Sequence, residues 1–319
     1  MYRIGVDLGG TNIAVGLVNE EYQIITKKSA PTGAKRAPEE IVGDIVKLCR
    51  AVCEEKGIAL DQFAAVGIAT PGAANHDDGI VEYANNLPFL KFPLGQLVSE
   101  GLGGIKTHIE NDANAAAWGE AVAGAAKGTK KSVMITLGTG VGGGIIIDGK
   151  VYSGFNYAGG ELGHIVIEHR GRPCSCGRLG CWEAYSSATA LIRMTGEKIE
   201  ECNKNGRKTV MTDYVARDGR ISGLTAFDAM RAGDAAGKEV VDMYLDYLVT
   251  GLVNIVNIFQ PEVISLGGGV SNEGQSLIDA ILPEIRKYQY GMGVIAAPEI
   301  RIAKLKNDAG IIGAAFLGI

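Results

Sequence analysis

Apolar and polar positions alternate through residues 2–8 and halt at Gly9-Gly10, the pattern of a strand that ends in a tight turn. Residues 13–18 (Ile-Ala-Val-Gly-Leu-Val) and 22–28 carry the same signature, so the chain opens as a β-meander. Ile41, Ile45, Val46, Leu48, Cys49 and Val52 recur at helical spacing and predict a helix over 38–56. A short apolar strand, 64–69, stops at Thr70-Pro71-Gly72. Residues 105–110 predict another strand, and Asp112 to Ala126 an alanine-rich helix. The grammar then repeats: apolar strand 132–137, a glycine turn from Gly138 to Gly144, and strand 145–148. Beyond a Cys-rich loop lie a polar region (196–222) and a long helix over about 234–259, followed by Pro261. Strand 262–266 meets Gly267-Gly268-Gly269 and a further helix; strand 299–303 and a small-residue helix, 308–318, come last. Strands mixed with helices indicate α/β layers, with a boundary between two halves near 115–130 that is crossed again near 300.

Composition narrows the classes. The chain has 319 residues, enough for two domains of ordinary size. It is 46% hydrophobic and 21% charged, and no apolar run reaches membrane-spanning length. Its strand pattern begins at residue 2 with no leader ahead of it, so a soluble cytoplasmic protein with no membrane partner is expected. A net charge of −5, with basic residues dispersed, argues against nucleic acid as a partner. The 46 Gly are about twice the usual share of ~7% and collect at strand ends, where backbone turns tightly or approaches a ligand. Six Cys in this context point to thiols or metal ligands rather than disulfides; Cys49 and Cys53, four apart on a helix, read as buried thiols.

The most specific motif is His164-x9-Cys174-x-Cys176-x4-Cys181-x-Glu183, preceded by Glu161. One His and three Cys at this spacing suit a closed, structural tetrahedral zinc site, with His164 preferred over His169 as the nitrogen ligand. Glu161 and Glu183 bracket it. Alone they are solvated carboxylates; tethered to a metal they can accept paired hydrogen bonds from adjacent hydroxyls, as on a sugar. His164 can ligate through one ring nitrogen and donate from the other. Arg170, Arg172 and Arg178 keep an anionic substrate open.

The segment Asp7-Leu8-Gly9-Gly10-Thr11-Asn12 is followed by a strand rather than a helix, so it is not a dinucleotide fingerprint. It is either a plain hairpin or a backbone cradle for phosphates, with Asp7 facing them through Mg²⁺ and water. Two further glycine-rich strand ends, at 138–144 and 267–269, favour nucleotide binding, and Thr136 and Thr139 add hydroxyls for a terminal phosphate. Asn111-Asp112 closes a strand and opens a helix. Asp112 is either the helix cap or a general base for a substrate hydroxyl oriented by Asn111.

Together with Thr70-Pro71-Gly72, Asn86-Leu87-Pro88, Glu110–Asn114, Leu137–Gly144, Gly160–His164, Cys174–Glu183 and Gly267–Ser271, these stretches resemble the ROK family (repressors, open reading frames, kinases), and within it the bacterial glucokinases. The resemblance runs through nearly the whole chain. It implies an actin-like ATPase (ribonuclease H-like) α/β fold in two lobes with ATP and sugar in the cleft: residues 1–118 plus 302–319 as the small lobe, and 119–301 as the large lobe with the zinc loop. It implies phosphorylation of the 6-hydroxyl of glucose by ATP, with Asp112 as base. Gly72, Asn86, Asn111, Asp112, Glu161, His164 and Glu183 would meet the sugar. Asp7, Gly9, Gly10, Thr11, Asn12, Thr136, Gly138, Thr139, Gly140, Gly267, Gly268 and Gly269 would meet MgATP. Zinc would sit on His164, Cys174, Cys176 and Cys181, in a homodimer or homotetramer. The alternatives are a kinase for fructose, mannose, allose or N-acetylmannosamine, or a non-catalytic sugar sensor. The helix-turn-helix of the family's repressors has no room ahead of residue 2, and the loop His169-Arg170-Gly171-Arg172 is more basic than the family pattern.

Overall fold

The computed structural model describes residues 2–59 and 62–318. Strands β1 (Tyr2–Leu8), β2 (Asn12–Val18) and β3 (Ile24–Pro31) form the opening meander, followed by helix α1 (Pro38–Lys56). Pro38 opens α1, Glu39 and Glu40 complement its dipole, and a left-handed Gly57 ends it. The helix buries Ile41, Ile45, Cys49, Val52 and Cys53 along one face. Next come β4 (Phe63–Thr70), the short strands β5 (Ala73–Asn75), β6 (Ile80–Tyr83) and β7 (Leu90–Phe92), α2 (Leu94–Gly101), β8 (Thr107–Asn111) and α3 (Asp112–Val122). The first sheet has the order β3-β2-β1-β4-β8. The strand β1 runs antiparallel to β2 and parallel to β4, which is parallel to β8. Register places Asp7 opposite Ala69, Ala69 opposite Glu110, and Thr70 opposite Asn111. The carboxyl ends of three parallel strands therefore deliver Asp7, Thr70 and Asn111 to one edge, where ligands of open α/β sheets are met.

The chain continues through β9 (Ser132–Leu137), β10 (Val141–Ile147), β11 (Lys150–Val151), α4 (Glu183–Ser186), α5 (Ala188–Lys204), α6 (Val210–Asp218), α7 (Thr225–Arg231) and α8 (Ala235–Phe259). It closes with β12 (Val263–Gly267), α9 (Gln275–Tyr288), β13 (Glu299–Ile302) and α10 (Ala309–Ala315). A second sheet has the order β11-β10-β9-β12-β13, and β5-β6-β7 form a third. Two compact units result: Met1–Met134, Gly143–Gly160 and Ala303–Ile319 in one, Ile135–Gly142 and Glu161–Ile302 in the other. These bounds depart from a division at 118/119 and 301/302 chiefly because 119–134 and 143–160 pack with the first unit. In that unit α10 lies so close to β1 and β4 that a side chain on Gly5 or Gly67 would collide with the carbonyls of Ile311 and Ala314. Among the described residues, no helix is long and apolar enough to cross a membrane.

Three expectations need correction. Val141 to Gly144 belong to β10 rather than to a turn. Gly144 is small because a Cβ there would stand 2.6 Å from the Ala113 carbonyl of α3. The helix from Asp112 stops at Val122 instead of Ala126, and the buried Glu120 carboxylate then takes the backbone N–H groups of Ala125, Lys304 and Leu305. The stretch 196–222 is largely helical; its apolar stripe is thin, with Met211 the one buried residue of α6, so its polar faces masked the period.

Candidate active site and metal centre

In the first unit, the turn from β8 to α3 decides what Asp112 can do. Asn111, not Asp112, is the helix cap: its Oδ1 accepts from the N–H groups of Ala113 (2.9 Å) and Asn114 (3.2 Å). Asp112 is the first residue of the helix, and among the described residues the neighbour that donates to its carboxylate is the Ala113 N–H, at 2.8 Å from Oδ1, so Oδ2 takes no hydrogen bond from another residue. Burial raises its pKa above the ordinary carboxylate value, against the pull of the backbone N–H groups of Ala113 and Asp112. Asp7 is raised from 3.8 to about 6, first by burial and then by Asp112, with Lys27 opposing. Asp112 is thus a neighbour that disfavours the charged form of Asp7, an arrangement suited to receiving a proton or a cation.

Asn111 is more heavily engaged than its motif suggested, since its Nδ2 also donates to the Gly72 carbonyl at 3.1 Å. Gly72 has φ of +94°, and a Cβ there would strike the Tyr83 carbonyl. In the hairpin before β2, the Gly9 N–H donates to the Asn12 carbonyl, and buried Thr32 donates its hydroxyl to Gly9 O and its N–H to Thr11 O. Asn86 lies beside this hairpin: a Cβ on Gly10 would come 3.1 Å from its Nδ2. Asp7, Gly9, Gly10, Thr11, Asn12, Gly72, Asn86, Asn111 and Asp112 therefore all lie on or against the hairpin and strand ends at that edge.

Three residues outside the sequence-derived set also meet there. Glu110, 4% exposed, accepts at Oε1 from the Asn111 N–H (2.9 Å) and Asn114 Nδ2 (3.1 Å), while its Oε2 lies 3.2 Å from His76 Nδ1. Glu110 sits within a matched motif, but an acid at a strand end reads as ordinary surface charge. His76 lies in a loop with no local signal.

The second unit carries the metal motif. The Sγ atoms of Cys176 and Cys181 are 3.6 Å apart, Cys174 Sγ is 3.6 Å from His164 Nδ1, and all four donors lie within 4.8 Å of one another. Zn–S bonds of about 2.3 Å and Zn–N bonds of about 2.0 Å at tetrahedral angles give donor separations of about 3.5–3.8 Å. The donor set therefore fits a tetrahedral, thiolate-rich ion. His169 is not among the clustered donors.

Glu183 opens α4, accepting from the Val141 N–H at Oε2 (3.1 Å) and the Ser175 hydroxyl at Oε1 (3.1 Å), with Cys174 Sγ 3.7 Å from Oε1. Gly140 must lack a Cβ because one would strike Glu183. The carboxylate is thereby tied to the second glycine turn as well as to the Cys loop. Glu161, exposed, precedes a short 3-10 turn ending at His164. Arg172 is engaged in a bidentate pair with Glu197 at 2.6 Å, which removes it from the cations available to an anionic ligand. Trp182, fully buried, anchors the loop by packing over Gly251 of α8 and donating to the Tyr247 carbonyl. Its place between Cys181 and Glu183 in the sequence is the one local hint of that anchor.

The turn at 138–140 is closed by Gly138 N–H to Gly140 O, and Thr189 donates its hydroxyl to Thr139 O. Thr136 is partly buried and Thr139 exposed. Gly267 ends β12; Gly268, with φ of +81°, presses on the Leu137 backbone, and a 3-10 turn begins at Gly269. The second and third glycine turns therefore touch each other.

A glucokinase from Halalkalibacterium halodurans is 35% identical over 317 residues, covering 99% of this chain and 94% of that protein. An N-acetyl-D-glucosamine kinase from Aliivibrio salmonicida is 31% identical over 328 residues, covering 99% of each. A ROK family glucokinase from Streptomyces griseus, solved in complex with glucose and AMPPNP, has a TM-score of 0.80 at 34% identity, with 99% of both chains covered. The α/β fold is thus the actin-like ATPase fold of ROK kinases. The family model for the ROK family matches residues 3–319, and the chain belongs to that family.

Proposed function

We propose that this chain is a sugar kinase that transfers the terminal phosphoryl group of ATP to the 6-hydroxyl of glucose. The observation that carries the reading is the Asn111 cap, which leaves the partly buried Asp112 carboxylate, at the first position of α3, with an uncommitted oxygen. A carboxylate so freed can take the proton of an attacking hydroxyl, and its raised pKa strengthens it as a base relative to an ordinary aspartate. Gly72, Asn86 and Asn111 of the first unit, and Glu161, His164 and Glu183 of the second, would supply acceptors and donors for a neutral polyol. With Arg172 paired to Glu197, those assigned groups bring no arginine for an anionic substrate. The backbone N–H groups of the glycine turns at 9–12, 138–140 and 267–269 would receive phosphate oxygens. Asp7 would face the Mg²⁺ that accompanies ATP, and that cation supplies charge neutralisation on the phosphates.

The residues His164, Cys174, Cys176 and Cys181 would hold Zn²⁺, which when bound fixes the loop that carries Glu183. His164 Nδ1 faces the Cys174 sulfur, so Nε2 is the nitrogen left to donate to a sugar hydroxyl.

The test is a coupled assay of sugar-dependent ADP formation across a hexose panel. Glucose is expected to give the highest kcat/KM; ADP formation independent of any sugar would remove the reading. The 31% identity to an N-acetyl-D-glucosamine kinase favours another hexose as the second reading, and the same panel separates the two.

A further inference from the structure

We propose that Glu110, backed by His76, is a positioning residue that holds the β8–α3 turn and so sets where Asp112 presents its carboxylate. The proposal rests on the kinase reading above for its consequence, though not for its geometry. Strand β8 is the edge of its sheet, so no further strand lies outside it to receive outward N–H groups. Glu110 supplies the missing acceptor. Its Oε1 takes the Asn111 N–H at 2.9 Å and Asn114 Nδ2 at 3.1 Å, bracketing Asp112 from one residue before it to two after it. Asn111 then caps α3 and ties to Gly72, so a displacement of its backbone carries the cap, the Gly72 carbonyl and Asp112 together.

Burying a carboxylate at 4% exposure is costly unless charge-assisted bonds offset it. An apolar residue there would avoid that cost, but it could not accept the Asn111 N–H. His76 completes the set: its Nδ1 lies 3.2 Å from Oε2 of Glu110, and its ring is held edge-on by Tyr157, whose hydroxyl donates to Asp77. The hydrogen bond to the Glu110 carboxylate raises the proton affinity of His76 above its ordinary value, consistent with an imidazole that donates to it. His76 and Glu110 line a cavity of about 700 Å³ in the first unit, together with Lys106 and His108. Neither His76 nor Glu110 touches the reacting atoms in this reading; both act through Asn111 and Asp112.

Glu110→Gln and Glu110→Ala separate positioning from bulk. Glutamine keeps an oxygen for Asn111 and Asn114, whereas alanine keeps none. In the intact protein, Glu110→Ala is expected to lower kcat about 10- to 100-fold, with KM for sugar and ATP changing by less than about threefold. Glu110→Gln should restore most of that loss, and His76→Ala should cost only a few-fold, since the Oε1 bonds remain. Equal kcat for Glu110→Ala and wild type, or equal losses for the Ala and Gln variants, overturns the proposal. Amide hydrogen exchange at Asn111 decides the geometry even if no sugar is phosphorylated. It should accelerate roughly tenfold or more in Glu110→Ala and stay near the wild-type rate in Glu110→Gln. Unchanged exchange in the alanine variant also overturns it.

Discussion

The turn around Asp112 and the loop around Glu183 present carboxylates by opposite means. Residues 110–114 join a strand to a helix, and every group there is placed by the sheet register, by the Asn111 cap and by the Glu110 bonds. Residues 161–183 contain a single 3-10 turn and isolated bridges at Val166–Cys181 and Pro173–Leu179. Four clustered metal donors and one buried Trp take the place of regular structure. The first region is placed by backbone and side-chain hydrogen bonds; the second brings together four donors that a metal ion would cross-link. A base must be held to within fractions of an ångström of its proton, which suits a backbone-defined turn.

The largest effect expected from breaking this contrast is on the first region. Asp112→Ala should lower kcat by about 10²–10⁴-fold with little change in sugar KM and none in metal content, measured by steady-state kinetics and elemental analysis. Near-normal turnover would move the base elsewhere. Trp182→Ala should then destabilise the protein by about 3–5 kcal/mol in chemical denaturation, because a fully buried indole leaves a cavity against α8. Cys181→Ser should abolish stoichiometric zinc and raise sugar KM by about 10- to 100-fold, while Asn111 amide exchange stays as in wild type. Matching changes at Asn111 would show that the two regions are not independent.

The smallest effect concerns Asp7. Its folded pKa is raised from 3.8 to about 6, so the folded state prefers the proton. Stability from this group is full below pH 4 and is lost as pH rises through about 6. Near neutral pH the ionised group is a liability in nucleotide-free protein, and Asp7→Asn should stabilise it by on the order of 2 kcal/mol. That gain should vanish below pH 4, as thermal denaturation against pH would check; a gain independent of pH would mean that ionisation is not its source.

Much of this was legible along the chain. The spans of β1, α1 and β9 follow directly from period and end signals, because local patterning and caps carry their own physics. The clustering of His164, Cys174, Cys176 and Cys181 was legible as well, because one His and three Cys within eighteen positions have few other uses. The glycine stretch 138–144 misled, since Gly144 is small to admit α3 and not to turn the chain. The segments 73–101 and 188–231 break into strands of three or four residues and helices separated by turns, several of them too short to stand out along the chain.

By itself, the sequence determined which residue types could serve: two acids at strand ends, three glycine turns, one His and three Cys. Only the tertiary structure decided what each of them touches. Whether Asn111 or Asp112 caps α3 depends on backbone angles at one junction, and residue order cannot distinguish two adjacent good capping types. Glu110 and His76 are thirty-four positions apart, and their meeting exists only once β8 has taken its place at the sheet edge.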